Sequence, residues 1–213
     1  MLKIPDTSMP QACIPIEEVN LRMLFQRHNM DLALWRRSLV LALKFDLANK
    51  EEIYNRLIKE PQDTAEFFAT HFGQENADRY TEIVRQRIEE YRSMVEALIA
   101  GDIMDAENHF RQLIVLVDQL ADFFYELSPV YTREEWVTLL RRYEELMYNQ
   151  AYAVATENYA GEVELFDRII DQIILMTEHF VRIVAVALGW SSAETMASPD
   201  VRVTTAIWRF PGR

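Results

Sequence analysis

The chain carries a single cysteine, Cys13, so no disulfide can close within it, and a lone thiol with no activating neighbours in the sequence reads as inert. Glycine and proline are scarce, 5 and 7 respectively, and they leave long stretches free of breakers, which favours long helices. The glycine-rich phosphate cradles Gly-x-x-x-x-Gly-Lys-Ser/Thr and Gly-x-Gly-x-x-Gly are missing, as is Gly-x-Ser-x-Gly, so nucleotide chemistry and nucleophile-elbow hydrolysis lack a site. No apolar run approaches the roughly 18 to 20 residues of a membrane span; the run at 183–188 stops at Gly189 and Trp190. The first residues, MLKIPDTSMPQACIPIEE, alternate prolines with polar side chains instead of forming a signal-peptide core, so a cytoplasmic location is expected.

Histidine is also rare. None of His28, His71, His109 and His179 has a glutamate three residues before it or another histidine four away, so the di-iron carboxylate pattern is missing and neither a metal nor a cofactor is expected. Positive charge is in deficit: 22 lysines and arginines face 34 acids, a net charge of −12. A field of that sign repels phosphate backbones and anionic lipid, so nucleic acid and membrane surfaces are not expected partners.

What is present is helical periodicity. Half of the residues are hydrophobic, enough for 213 residues to bury a full core in one domain spanning 1–213, with irregular tails at 1–16 and 196–213. Apolar side chains recur every three or four residues from about 17 to 48, with Leu21, Leu24, Phe25, His28, Leu32, Trp35 and Leu39 on one stripe. Residues 50–72 read as two short connector helices split at Pro61, the second capped by Asp63 with Glu66. Four longer stretches follow: about 75–100, stopped by Gly101; from the cap Asp102 to the break at Ser128-Pro129; from the capping box Thr132/Glu135 to about 158; and about 161–189. The expected fold is an all-α antiparallel bundle of four long core helices, with an N-terminal helix and short connectors.

A 56-residue shift pairs Phe110 with Phe166, Leu113 with Ile169, Phe124 with Phe180 and Tyr80 with Trp136, as two related helical hairpins would; helical periodicity alone generates some such matches. The tail VRVTTAIWRFPGR leaves helical period and either docks on the bundle or binds something else.

One residue stands out. Arg87 lies in line with the core stripe Tyr80, Ile83, Val84, Tyr91, Met94, Val95 and Leu98. The 56-residue shift brings it onto Tyr143, and His28 holds a comparable stripe position near the N-terminus. If they share a level, His28, Arg87 and Tyr143, with Trp35 and Tyr91 beside them, offer donors to a small anionic organic ligand inside an apolar cavity. The competing reading pairs Arg87 with a core-edge acid, Asp31 or Asp118, and leaves Tyr143 and His28 as satisfied core polars. Glu89-Glu90 and Glu144-Glu145 fall off the stripes and read as a solvated face.

Short spaced motifs, Asn55-Arg56-Leu57, Pro61-x-Asp63, Phe72-Gly73, Gly101-Asp102, Glu134-Glu135-Trp136 and Tyr159-Ala160, cover most of residues 20–185. In these the chain resembles a family of uncharacterised bacterial helical-bundle proteins without an established activity. The name acetylglutamate kinase attaches to some members, but no phosphate loop here supports it. Relatives show a histidine on each of three helices, and this chain has Leu32, Arg87 and Tyr143 at those places, with His28 one helical turn from the first. The resemblance implies a shared site there, a metal centre or a polar knot, that this chain does not copy with the same donors.

The function expected from these readings is non-enzymatic: a bundle that binds a small ligand or a protein partner. Alternatives are a structural protein that forms a homo-oligomer, and a helical enzyme using the His28, Arg87 and Tyr143 level.

Overall fold

The computed structural model describes residues 15–190, together with all side chains in that span except that of Asp63. The tails expected at both ends, save Pro15 and Ile16 at the start of the first helix, lie outside these, as do Cys13 and the cap expected at Asp63. Six helices account for the fold: α1 (Ile16–Lys44), α2 (Lys50–Phe72), α3 (Gln74–Ala100), α4 (Ile103–Leu127), α5 (Arg133–Ala155) and α6 (Tyr159–Ala187). No strand occurs among the described residues, and no helix there is long and apolar enough to cross a membrane.

The helix ends follow the local chemistry. Asp102 caps α4 by accepting from the Asp105 amide at 3.0 Å, and Asn158 caps α6 through the Gly161 amide at 3.1 Å. Thr132 and Glu135 close a full capping box on α5. Residues 50–72 depart from the two-piece expectation: α2 runs unbroken through Pro61. An internal proline costs roughly 3 kcal/mol. Here Pro61 is itself buried, with Leu57 and Phe68 fully buried on either side, and this tertiary burial outweighs the local break.

Short turns make successive helices antiparallel, and the adjacencies close a ring in which each helix packs on the next and α6 returns to α1. The odd-numbered helices also touch one another, so α1, α3 and α5 form an inner trio of parallel helices with α2, α4 and α6 in the outer gaps. Of the five turns, the three that join α1 to α2, α3 to α4 and α5 to α6 are copies. Leu47 donates to Ala42 O, Asp102 to Ala97 O and Asn158 to Ala153 O at 2.8–3.0 Å, and the preceding residues Asp46, Gly101 and Glu157 all have positive φ. The register therefore advances by 55 residues from α1 to α3 and by 56 from α3 to α5.

This approximate threefold register stacks equivalent residues in layers along the axis. Phe25, Tyr80 and Trp136 form one layer, and Leu32, Arg87 and Tyr143 another. Next come Ala33, Ile88 and Glu144, and then Arg36, Tyr91 and Met147. Every one of these is buried. The apolar core divides into two clusters, one rich in aromatic rings around Phe25, Phe68 and Phe180, the other around Met94, Met147 and Ile169. Charged side chains stand where the clusters meet.

Candidate functional site

Three ionised side chains lie at that junction. Arg36 on α1 donates through Nη1 to both carboxylate oxygens of Glu144 on α5, at 3.1 and 3.0 Å, and Arg87 on α3 donates through Nη2 to Glu144 Oε1. Arg36 and Glu144 are each 1 % exposed and Arg87 is 4 % exposed. Burial opposes ionisation of Glu144, yet the two guanidinium charges overcome it and hold its pKa below the ordinary carboxylate range. Burial likewise opposes the Arg36 charge, and Glu144 more than restores it. The Arg36 guanidinium also lies over the rings of Tyr91 and Tyr143, 4.5 and 5.8 Å from their centroids. Burial pushes both tyrosine pKa values up, so these phenols stay neutral.

Beside this triad lies a cavity with about 40 Å³ open to the centre of a water-sized sphere. That holds about three waters or a ligand of a few non-hydrogen atoms. Its wall is mostly apolar, built from Phe25, Leu120, Phe124 and Phe180, while Arg87, Tyr143 and Trp136 also line it. Two of these have a buried polar atom with no hydrogen-bond partner among the described residues, Arg87 Nε and Trp136 Nε1, while the buried Tyr143 hydroxyl has the Arg36 guanidinium beside it and no acceptor for its own proton. All three can donate. The remaining polar lining groups have neighbours. Burial lifts the Tyr80 pKa to about 12, against the pull of Arg87 and of Thr64 beside its hydroxyl, and Asn29 Nδ2 donates to Thr177 Oγ1 at 3.4 Å.

The five side chains singled out from sequence divide into two places. Arg87 and Tyr143 line the cavity, and Tyr91 sits one helical turn away beneath Arg36. His28 and Trp35 belong instead to the α1–α2 seam. His28 Nδ1 lies 3.2 Å from Glu60 Oε1 in a close but poorly aligned contact, Arg56 pairs with the same carboxylate, and Trp35 stands 5.7 Å from the Arg56 guanidinium. The turn register shows why: the α1 equivalent of Arg87 is Leu32, not His28.

Other expectations are corrected. Arg87 meets Glu144 rather than Asp31 or Asp118, which pair with Arg27 at 3.6 Å and with Arg141 at 2.7 Å. Glu144 is not on a solvated face; it is among the most buried side chains in the chain. The buried Arg36 was missed because the stripe reading turned its neighbour Trp35 inward, whereas Trp35 is only half-buried. One signal could have found Glu144: the 56-residue shift places it on the core residue Ile88.

A second polar knot fixes α1 to the far end of α5 and α6. Arg37 donates to both Glu162 oxygens at 2.6 and 3.0 Å, and Gln150 Nε2 donates to Oε1 at 2.8 Å. No group of three or more histidine, cysteine, aspartate or glutamate side chains among the described residues could hold a metal ion. Comparison of the chain with protein-family models, with curated proteins and with solved structures finds no match. The resemblance read from the short motifs rests on those motifs alone.

Proposed function

We propose that the protein is a non-enzymatic, cytoplasmic binding protein whose core cavity holds a small organic anion. One observation supports this reading: Arg87, Tyr143 and Trp136, each with a buried donor that no protein acceptor meets, all line a single, otherwise apolar cavity. A buried polar atom left without a partner costs roughly 1–3 kcal/mol, and three on one wall is a debt that a ligand's acceptor oxygens cancel. Such a pocket, apolar with a few convergent polar groups, is how small-molecule sites are built. Native mass spectrometry of protein purified from its own host tests the reading. The expected result is a second mass, heavier by a small organic molecule, that denaturation releases. A bare mass, with no thermal shift from a panel of small organic anions, would refute it.

A second observation favours self-association. The three matching turns, α1–α2, α3–α4 and α5–α6, lie at one end of the bundle and leave Phe45, Leu47, Ile103, Met104, Tyr152 and Tyr159 more than 40 % exposed, with Phe45 stacked on Tyr159 at 6.2 Å. The same spectra count the chains: a single-chain mass at micromolar concentration removes this second reading.

A further inference from the structure

Resting on the reading of the cavity as an anion site, we propose that its ligand is a monocarboxylate with a short apolar body, and that Arg36, which does not line the cavity, sets this charge preference. Within the triad Arg36 and Arg87 carry two positive charges and Glu144 one negative charge, so one positive charge is uncompensated in the low-dielectric core. A single negative charge completes a set of two cations and two anions. A phosphate dianion or a dicarboxylate overshoots by one charge and strands it in an apolar chamber, and a neutral molecule leaves the surplus in place.

The hydrogen-bonding inventory agrees. A carboxylate only accepts, through two oxygens with about four lone-pair sites. Arg87 Nε, Tyr143 Oη and Trp136 Nε1 can all donate, and the acid of the triad, Glu144, is not on the wall. An amine or a zwitterionic amino acid would bring donors that find no carboxylate to meet them. The remaining lining is aromatic and aliphatic, and a cavity that leaves the centre of a water-sized sphere only about 40 Å³ admits a chain of only a few carbons. Without Arg36 the Arg87–Glu144 pair is neutral, and the reason to prefer an anion disappears although no wall residue has changed.

Isothermal titration of the full chain at about pH 8, where inorganic phosphate is mainly the dianion, with butyrate, its neutral isostere butyramide, succinate and inorganic phosphate tests the proposal. Butyrate is expected to bind at least about tenfold more tightly than the other three, as charge-assisted hydrogen bonds gained or lost would give. Arg36→Met places at 36 the residue that α5 carries at the equivalent position, Met147. This variant is expected to bind butyrate and butyramide within about threefold of each other, while Arg36→Lys keeps the preference. Butyramide, succinate or phosphate binding the parent as tightly as butyrate would overturn the monocarboxylate assignment and leave the binding reading standing. Full charge preference in Arg36→Met would overturn the role of Arg36. If Arg36→Met does not fold, the parent ratios and Arg36→Lys decide, with loss of preference in the folded Lys variant showing that guanidinium geometry, not charge, selects. Failure of both butyrate and butyramide to bind the parent would overturn the cavity reading itself.

Discussion

Removing the acid from the buried triad is expected to cost far more than removing either base. Glu144 accepts from both Arg36 and Arg87, and all three side chains are at most 4 % exposed. Glu144→Gln leaves two guanidinium groups facing each other in the core without an anion. Breaking a buried pair by deleting one partner costs roughly 3–5 kcal/mol, and here two cations are stranded, so the upper part of that range applies. For a chain of this length that is a drop in Tm on the order of 10 °C. Arg87→Leu installs the residue found at the equivalent α1 position, Leu32, and leaves Glu144 paired with Arg36 through both oxygens. Its cost is expected to stay within about 1–2 kcal/mol, since a charged hydrogen bond is lost while a desolvated cation is removed with it. The triple change Arg36→Met, Arg87→Leu and Glu144→Ile replaces each member by a residue from its own layer, Met147, Leu32 and Ile88. It is expected to fold between parental stability and roughly 1–4 kcal/mol above it. Thermal and urea unfolding followed by far-ultraviolet circular dichroism measure all three variants. Refutation is plain: Glu144→Gln melting within about 2 °C of the parent, or Arg87→Leu falling as far as Glu144→Gln.

Three further outcomes are expected. Glu60, Glu144 and Glu162 all have folded pKa values below the ordinary 4.5, each held down against burial by cationic or hydrogen-bonding partners. The unfolded chain therefore takes up protons first as the pH falls; the stability these three carboxylates contribute is complete above about pH 5 and is lost progressively as the pH falls below 4.5, and a urea midpoint unchanged at pH 3 would contradict this. Glu157 holds a positive φ of 63° where α3 uses Gly101, so Glu157→Gly is expected to raise stability by about 1 kcal/mol and Gly101→Ala to lower it by a similar amount. The tie from Lys44 to the largely exposed Glu157 carboxylate, at 3.3 Å, is too weak to reverse the sign. Dialysis against a chelator is expected to leave the Tm unchanged; a fall of several degrees that one divalent metal restores would show a metal contribution.

The helical class, the stops at Gly101 and Gly189, the Asp102 cap and the Thr132/Glu135 box were legible because each rests on interactions within a few residues. Pro61 was misread for the opposite reason. Its local preference is to break a helix, and what keeps α2 whole is burial against neighbours that no local pattern names. The inward turn of Arg87 was visible as a cation on an apolar stripe, but its partner was not. An acid that neutralises a core arginine on another helix leaves no mark on its own stripe except an apparent fault in the pattern.

The internal register converts such faults into information. Along one helix Glu144 reads as half of an exposed Glu-Glu pair, but the turn-matched layers set it beside Ala33 and Ile88, both fully exposed to nothing but core. The same alignment replaces His28 by Leu32 at the cavity level and sets Arg36 with Tyr91 and Met147. Charge at an inner position of one helix, opposed by apolar residues at the two equivalent positions, is therefore the sequence mark of this site. The asymmetry has a physical consequence. Three parallel inner helices with identical apolar layers would close on one another, whereas Leu32, Arg87 and Tyr143 differ in length and polarity, and the cavity lies where they meet. The layer above it supplies Arg36 and the layer between supplies Glu144, so the space and the charge surplus beside it arise from one departure from threefold equivalence.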